Sequence, residues 1–236
     1  MVDEALAKKA VAERYQRNLG TVGLEGQVKL LASHVLVVGA GGLGGMVLEL
    51  LARHGVGYIR VVDDDVFQTH NLNRQLLATT ETIGKPKVAA AVDRLRLIND
   101  DVMVEAHPVR FDLSNGQELL RGMDLVIDCL DTATDRILLS RLAQAAGIPL
   151  IHGAIAGKSG QVLVVMPDSR GLECIYAGEE NKTPPPFGNP PMTVALAAAL
   201  EVQQAVRLLV TGQADLANRL LVFDLDESSF ELVELK

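Results

Sequence analysis

The sequence predicts an α/β fold: a doubly wound, mostly parallel sheet with an antiparallel C-terminal extension. Three observations predict it. Short Val-, Leu- and Ile-rich runs alternate with helical segments from residue 34 to about residue 152. The first such strand runs into the glycine-rich turn Gly39-Ala40-Gly41-Gly42-Leu43-Gly44, and a helical segment follows. Hydrophobic residues make up 48% of the chain but aromatics only 3%. Aliphatic side chains must therefore fill the interior, as in strands buried on both faces.

Taken in order, residues 5–17 and 25–32 read as helical, separated by a turn at Gly20 to Gly23. A strand over 34–39 enters the glycine turn, a helix follows over 46–54, and a second strand spans 58–62. This β–turn–α–β unit gives the core its Rossmann-like character. Helices at 87–98, 115–121 and 135–146 alternate with strands at 102–107 and 124–128 and one beginning at 149. After residue 155 the rhythm changes. A strand at 160–166 precedes a loop over 170–191, a long helix over 193–210, and a closing hairpin of 220–224 with 230–235. Residues 183–191 hold five prolines and read as an extended loop that orders on demand. The whole chain reads as one domain: a helical arm (1–33), a nucleotide-binding core (34–155) and a C-terminal part (156–236).

Charge narrows the function classes. With 30 acidic and 22 basic residues the formal charge is −8. A net acidic chain without a basic run argues against nucleic acid or an anionic membrane as partner. Residues 192–210 come closest to a membrane span, but Glu201, Gln203, Gln204 and Arg207 interrupt them. Residues 1–9 carry acids and lysines instead of the apolar core of a secretory signal, and the two cysteines suggest no disulfide framework. A cytoplasmic location is expected.

The residues that carry chemistry cluster at strand ends. Gly39, Gly41, Gly42 and Gly44 fit G-x-G-x-x-G between strand and helix. There the backbone turns tightly and the helix N-terminus offers N–H groups to a phosphate chain. Asp63 ends the next strand, where a carboxylate accepts from ribose hydroxyls. The bland reading is that these glycines serve only close helix–strand packing. Asn71-Leu72-Asn73-Arg74-Gln75, Gly84-Lys85-Pro86-Lys87 and Asp128-Cys129-Leu130-Asp131 lie beyond three further element ends. A parallel sheet would bring Arg74, Lys87 and Asp131 to one edge. Singly, each has a bland reading, as a solvated base or a helix cap. Together they suit a nucleoside triphosphate, with Arg and Lys against phosphate oxygens and Asp131 on Mg²⁺, a hard cation.

At these residues the chain resembles the MoeB/ThiF/HesA family, bacterial relatives of the ubiquitin-activating enzymes. Arg14-Tyr15-Gln16-Arg17 resembles its R-Y-x-R, and Gly26-Gln27 its G-Q. Asp63-Asp64-Asp65 with Asn71 to Gln75 resembles D-x-D…N-L-x-R-Q; Gly84 to Lys87 resembles G-x-P-K; Asp128 to Asp131 resembles D-C-x-D. Gly160-Gln161-Val162 and Phe223-Asp224 match later positions. The resemblance implies an adenylyltransferase that uses ATP and Mg²⁺. Asp63 would bind the ribose, and Asn71, Arg74 and Lys87 the phosphates. Gln75 and the loop glycines would complete the nucleotide site, and Asp131 would coordinate Mg²⁺. Arg17 would reach the triphosphate across a homodimer interface. The partner would be a ubiquitin-like sulfur-carrier protein ending in Gly-Gly, activated as an acyl-adenylate.

The chain also departs from the family. Many members bind structural zinc through two Cys-x-x-Cys pairs, whereas here Cys174-Ile175-Tyr176-Ala177 keeps only one cysteine and none follows. No structural zinc is expected. The cysteine that some relatives use for a thioester or persulfide is also missing, which favours adenylation without thioester transfer. Cys129 reads as a small packed residue. Asp64 stands where an apolar or aromatic residue is common, and Asn18 where Gln is. The five histidines show no metal-ligand spacing. Two other readings are open: a catalytically inactive carrier-binding homologue, and an NAD-dependent oxidoreductase.

Overall fold

The computed structural model describes residues 4–178 and 188–235. Helices α1 (Glu4–Ala10) and α2 (Gln16–Ala32) form the N-terminal arm. The alternating core follows as β1 (His34–Val38), α3 (Gly42–His54), β2 (Tyr58–Val62), α4 (Lys87–Ile98), β3 (Met103–His107), α5 (Gly116–Leu120), β4 (Leu125–Asp128), α6 (Ala133–Ala145) and β5 (Leu150–Ala156). Then come β6 (Ser159–Val165), α7 (Glu173–Tyr176), α8 (Pro191–Thr211), β7 (Arg219–Asp224) and β8 (Ser229–Glu234).

The strands form one sheet in the order β3-β2-β1-β4-β5-β6-β7-β8. From β3 to β5 all pairings are parallel, and from β5 to β8 all are antiparallel. The parallel register aligns Val38 with Val62 on one side and Asp128 on the other, so the ends of β1, β2 and β4 lie level. Chain order reverses between β1 and β4, the switch point where doubly wound sheets open a crevice.

Strand periodicity divides the interior into two cores. Val35 and Val37 of β1 join Ile59, Val61, Leu125 and Ile127 under α3, α4 and α8. Leu36 and Val38 face the other way, with Val62, Val126 and Leu150, toward α5 and α6. Aliphatic residues at every position of a central strand are what two-sided burial requires. Helix α8 is long and apolar enough to cross a membrane by length and composition alone. Here Val194, Ala197, Ala198 and Val202 instead bury against the sheet and α3.

Several boundaries differ from expectation for physical reasons. The arm is not one helix over 5–17. A 3₁₀ turn at Glu13–Tyr15 breaks it, and Tyr15 is buried with its hydroxyl accepting from Asn99 Nδ2 at 2.7 Å. Gly23, at φ +70°, then kinks α2. Helix α3 starts at Gly42, inside the glycine motif, instead of at 46. The expected loop over 170–191 contains the single-turn helix α7, and Pro191 starts α8 at N1, where its missing N–H costs nothing. Most of the proline-rich stretch, residues 183–187, lies outside the described residues.

Candidate functional site

The turn after β1 needs glycine at two positions. Gly39 has φ +98°, and a Cβ there would sit 2.5 Å from the Cys129 carbonyl oxygen. A Cβ on Gly44 would sit 1.8 Å from the Gly39 carbonyl oxygen, so α3 packs against the turn without a side chain between them. Gly41 caps α3 with no side-chain hydrogen bond, and its nearest neighbour would be Gln75 Nε2 at 3.6 Å. The first N–H groups of α3 therefore open onto a crevice carrying the positive end of a 13-residue helix.

That crevice is a cavity of about 700 Å³ at the carboxyl edge of the sheet. It brings together Gly39, Gly41, Gly42, Asp63, Arg74, Gln75, Lys87 and Asp131. Asp63 is held by backbone donors: its Oδ2 accepts from Ala40 N at 2.7 Å and its Oδ1 from Asp65 N at 2.8 Å. Each carboxylate oxygen keeps lone-pair capacity for a further donor. Lys87 begins α4, buried along its stem, with Nζ 2.8 Å from Asp65 Oδ2. Arg74 donates through Nη1 to the His70 carbonyl at 3.1 Å and Asn73 Oδ1 at 2.8 Å, which fixes the guanidinium on the cavity wall.

Three expected residues stand apart from the wall. Gly44 lies behind the turn, in the packing role just described. Asn71 is buried, and its Oδ1 accepts from Gln68 N at 2.9 Å, closing a capping box around the turn Thr69–Asn71. Arg17 is exposed on α2 and does not line the cavity.

The cavity also takes in residues that sequence reasoning passed over. Arg110 follows β3 and its Nη2 donates to both oxygens of Asp135 at 3.1 Å. Arg136, in the first turn of α6, also reaches the wall. The position of Arg110, three residues past the end of β3, was the available signal for it. Five acids (Asp63, Asp64, Asp65, Asp131, Asp135) and four bases (Arg74, Lys87, Arg110, Arg136) line the site. The two signs nearly balance. Asp131, exposed at the end of the β4 loop, lines the cavity with a carboxylate that would suit a hard cation. One or two carboxylates plus phosphate oxygens are the usual Mg²⁺ donor set, so the residues fit the ion.

Neither cysteine is shifted toward the thiolate. Burial pushes the Cys129 thiol well up, with Glu201 and Asp128 adding to the effect. Partial burial also raises Cys174, whose Sγ lies 3.0 Å from the Gly171 carbonyl oxygen. A thiol held protonated is a weak nucleophile. Glu201 is fully buried beneath the site, and both of its carboxylate oxygens lack a hydrogen-bond partner among the described residues. Burial, reinforced by Asp128, pushes its carboxyl well above the usual range.

Comparison with known proteins places this architecture. The model of the ThiF family matches residues 15–236. The chain belongs to the ThiF family. It is 40% identical over 230 residues to the SAMP-activating enzyme E1 of Haloferax volcanii, covering 94% of this chain and 84% of that one. It is 38% identical over 244 residues to the sulfur carrier protein adenylyltransferase of Thermus thermophilus, covering 97% and 89%. Among solved structures, E. coli MccB crystallised with ATP superposes with a TM-score of 0.83 at 20% identity, covering 96% of this chain and 72% of that one. PaaA superposes with a TM-score of 0.81 at 23% identity, covering 94% and 73%. Those two share the ThiF fold with this chain.

Proposed function

We propose that this ThiF-family chain is an adenylyltransferase that activates the C-terminal glycine carboxylate of a ubiquitin-like sulfur-carrier protein ending in Gly-Gly. The observation that carries the reading is the single cavity joining the α3 N-terminus, Asp63, Arg74, Lys87 and Asp131. Two relatives that this chain nearly spans support it by name, one a SAMP-activating enzyme E1 and the other a sulfur carrier protein adenylyltransferase.

In this reading the turn amides and the α3 dipole receive the phosphate chain, and Asp63 accepts from the ribose hydroxyls. A carboxylate needs no general base at pH 7, so the obstacle is repulsion between two anions. Positioning and charge neutralisation supply the catalysis. Arg74 and Lys87 offset charge on the triphosphate and on the departing pyrophosphate. Mg²⁺, held by Asp131 and phosphate oxygens, would supply further neutralisation when bound. The attacking oxygen forms a bond to the α-phosphorus as the bond to pyrophosphate breaks, leaving an acyl-adenylate for a sulfur donor.

A homodimer in which the arm of one protomer completes the site of its partner would account for Arg17 lying exposed and outside the cavity of its own chain. The C-terminal part, 156–236, would receive the carrier. Activity in the cytoplasm, where ATP is plentiful, fits this reading. The cationic set at the cavity weighs against an inactive binding homologue.

Transfer of label from α-labelled ATP to a Gly-Gly-ended carrier tests the proposal. A carrier-bound adenylate that forms only with Mg²⁺ is expected. An unlabelled carrier, with enzyme shown to bind both ATP and carrier, would overturn it.

A further inference from the structure

Beneath the cavity, side chains from five elements close a buried hydrogen-bond network. His152 of β5 and Asp128 of β4 are fully buried, with Nδ1 2.7 Å from Oδ2. Burial drives the His152 pKa down, so the imidazole is neutral at pH 7. Its Nδ1–H then donates to Asp128, and Nε2 is left as an acceptor. The Tyr176 hydroxyl, at the end of α7, lies 3.0 Å from that Nε2 and donates to it. The same oxygen accepts from Arg136 Nη1 at 2.5 Å and from Gln161 Nε2 at 3.1 Å. One hydrogen and two lone pairs are thus all used. The His152 and Tyr176 rings meet edge to face at 5.4 Å, and the Arg136 guanidinium lies 5.4 Å from the Tyr176 ring centre.

Both remaining arms of the network end on one residue. Asp128 Oδ1 accepts from Leu130 N at 3.0 Å. Arg136 Nε and Nη2 donate to the Leu130 carbonyl at 3.1 and 2.6 Å. The peptide groups on either side of Leu130 are therefore clamped, and the next residue is Asp131. Buried ionic groups are weak contributors to stability, since apolar packing of equal volume does as well. Geometric specificity is what such a network supplies, and here the geometry it specifies is the backbone that presents Asp131.

We infer that Tyr176 is a positioning residue for Asp131, acting through His152, Asp128 and Arg136 to hold the Leu130 backbone. The inference rests on the reading of Asp131 as the cation-facing carboxylate. It also accounts for how α7, with Cys174 its sole thiol, is tied to the sheet: by a tyrosine hydroxyl.

The test is Tyr176→Phe in the full chain, which removes one oxygen and keeps the ring. Hydrogen exchange of peptides spanning 129–132 should accelerate about tenfold, the factor that one net hydrogen bond supplies, while exchange in β1 stays at the wild-type rate. In ATP–pyrophosphate exchange, the Mg²⁺ concentration for half-maximal rate should rise about tenfold, with carrier KM unchanged. Gln161→Met, which removes one of the hydroxyl's two donors, should give a smaller shift of both readouts, and it serves if the first variant does not fold. Wild-type exchange at 129–132, or wild-type Mg²⁺ dependence, in a folded variant would overturn the inference. A wild-type enzyme with no pyrophosphate exchange would count against the adenylation reading alone, because the hydrogen-exchange result decides the positioning claim without it.

Discussion

The Lys87 ammonium sits 2.8 Å from Asp65 Oδ2 and 3.8 Å from Asp63 Oδ2, so the cation assigned to the phosphates is paired with carboxylates of the protein itself. Asp65 is the exposed partner and Lys87 the buried one. ATP must draw Lys87 from Asp65 or share it. Lys87→Met should lower kcat/KM for ATP roughly 10- to 100-fold, the range for a hydrogen bond to a charged group. Asp65→Asn should lower the KM for ATP several-fold by removing the competing carboxylate. Steady-state kinetics on the two variants check both signs, and a raised KM in Asp65→Asn would contradict the competition.

Two glycines of the same motif should behave differently. Gly44→Ala forces a methyl group to 1.8 Å from a backbone oxygen and should destabilise the fold by about 3 kcal/mol or more. At Gly41 a methyl meets only the Gln75 amide at 3.6 Å, so Gly41→Ala should leave stability within about 0.5 kcal/mol. Gly41 nevertheless faces the cavity, and its substitution should impair ATP binding. Urea melts and ATP titrations separate the two effects. Equal destabilisation of both variants would refute the division of roles.

Glu201 gives the fold a pH dependence of known sign. Its carboxyl is raised by burial and by Asp128, so the folded state keeps a proton that the unfolded chain releases. Its stabilising contribution is complete below the unfolded carboxylate pKa, near 4.3, and is lost as pH rises through the folded value. Glu201→Gln removes this term. The variant should gain on wild type as pH increases from 5 to 8, by up to about 1.4 kcal/mol per pH unit within the window. Urea unfolding at a series of pH values measures it, and a difference constant with pH would exclude Glu201 as the group.

The thiols should be dispensable for adenylation. Cys174 is exposed but its thiol is raised by partial burial, and the family's zinc quartet cannot be assembled from two cysteines. Cys174→Ala should keep adenylation within about twofold, as surface changes away from a site do. A chelator should leave the unfolding temperature of the nucleotide-free protein unchanged. Loss of activity in a folded Cys174→Ala protein would give the thiol a chemical role.

Much of the fold was legible because the signals were local. The aliphatic runs of β1 and β2 and the periodicity of α4 lie between glycines or turn residues, and their limits agree with the sequence reading to within a residue. The start of α3 was not legible. Glycines are poor helix formers, yet Gly42, Gly44 and Gly45 are helical here, and glycine is what fits at each, since Val194, Gly39 and Leu77 crowd the space a side chain would take. The cavity was legible in outline because a parallel sheet gathers strand ends at one edge. Asn71 shows the limit of adjacency, since three residues from Arg74 its carboxamide is engaged in a local cap. The Tyr176–His152–Arg136 network left no local signal. Its members are far apart in sequence, and each has an ordinary reading alone.

The central claim is that Asp131 and its neighbours make this cavity a site of carboxylate adenylation. ATP–pyrophosphate exchange, with Mg²⁺ and a panel of Gly-Gly-ended carriers, tests it most directly in wild type and in Asp131→Ala. The account predicts carrier-dependent exchange in wild type and its loss in a variant that unfolds at the wild-type temperature. Full exchange in Asp131→Ala, or none in wild type with a carrier it demonstrably binds, would contradict it.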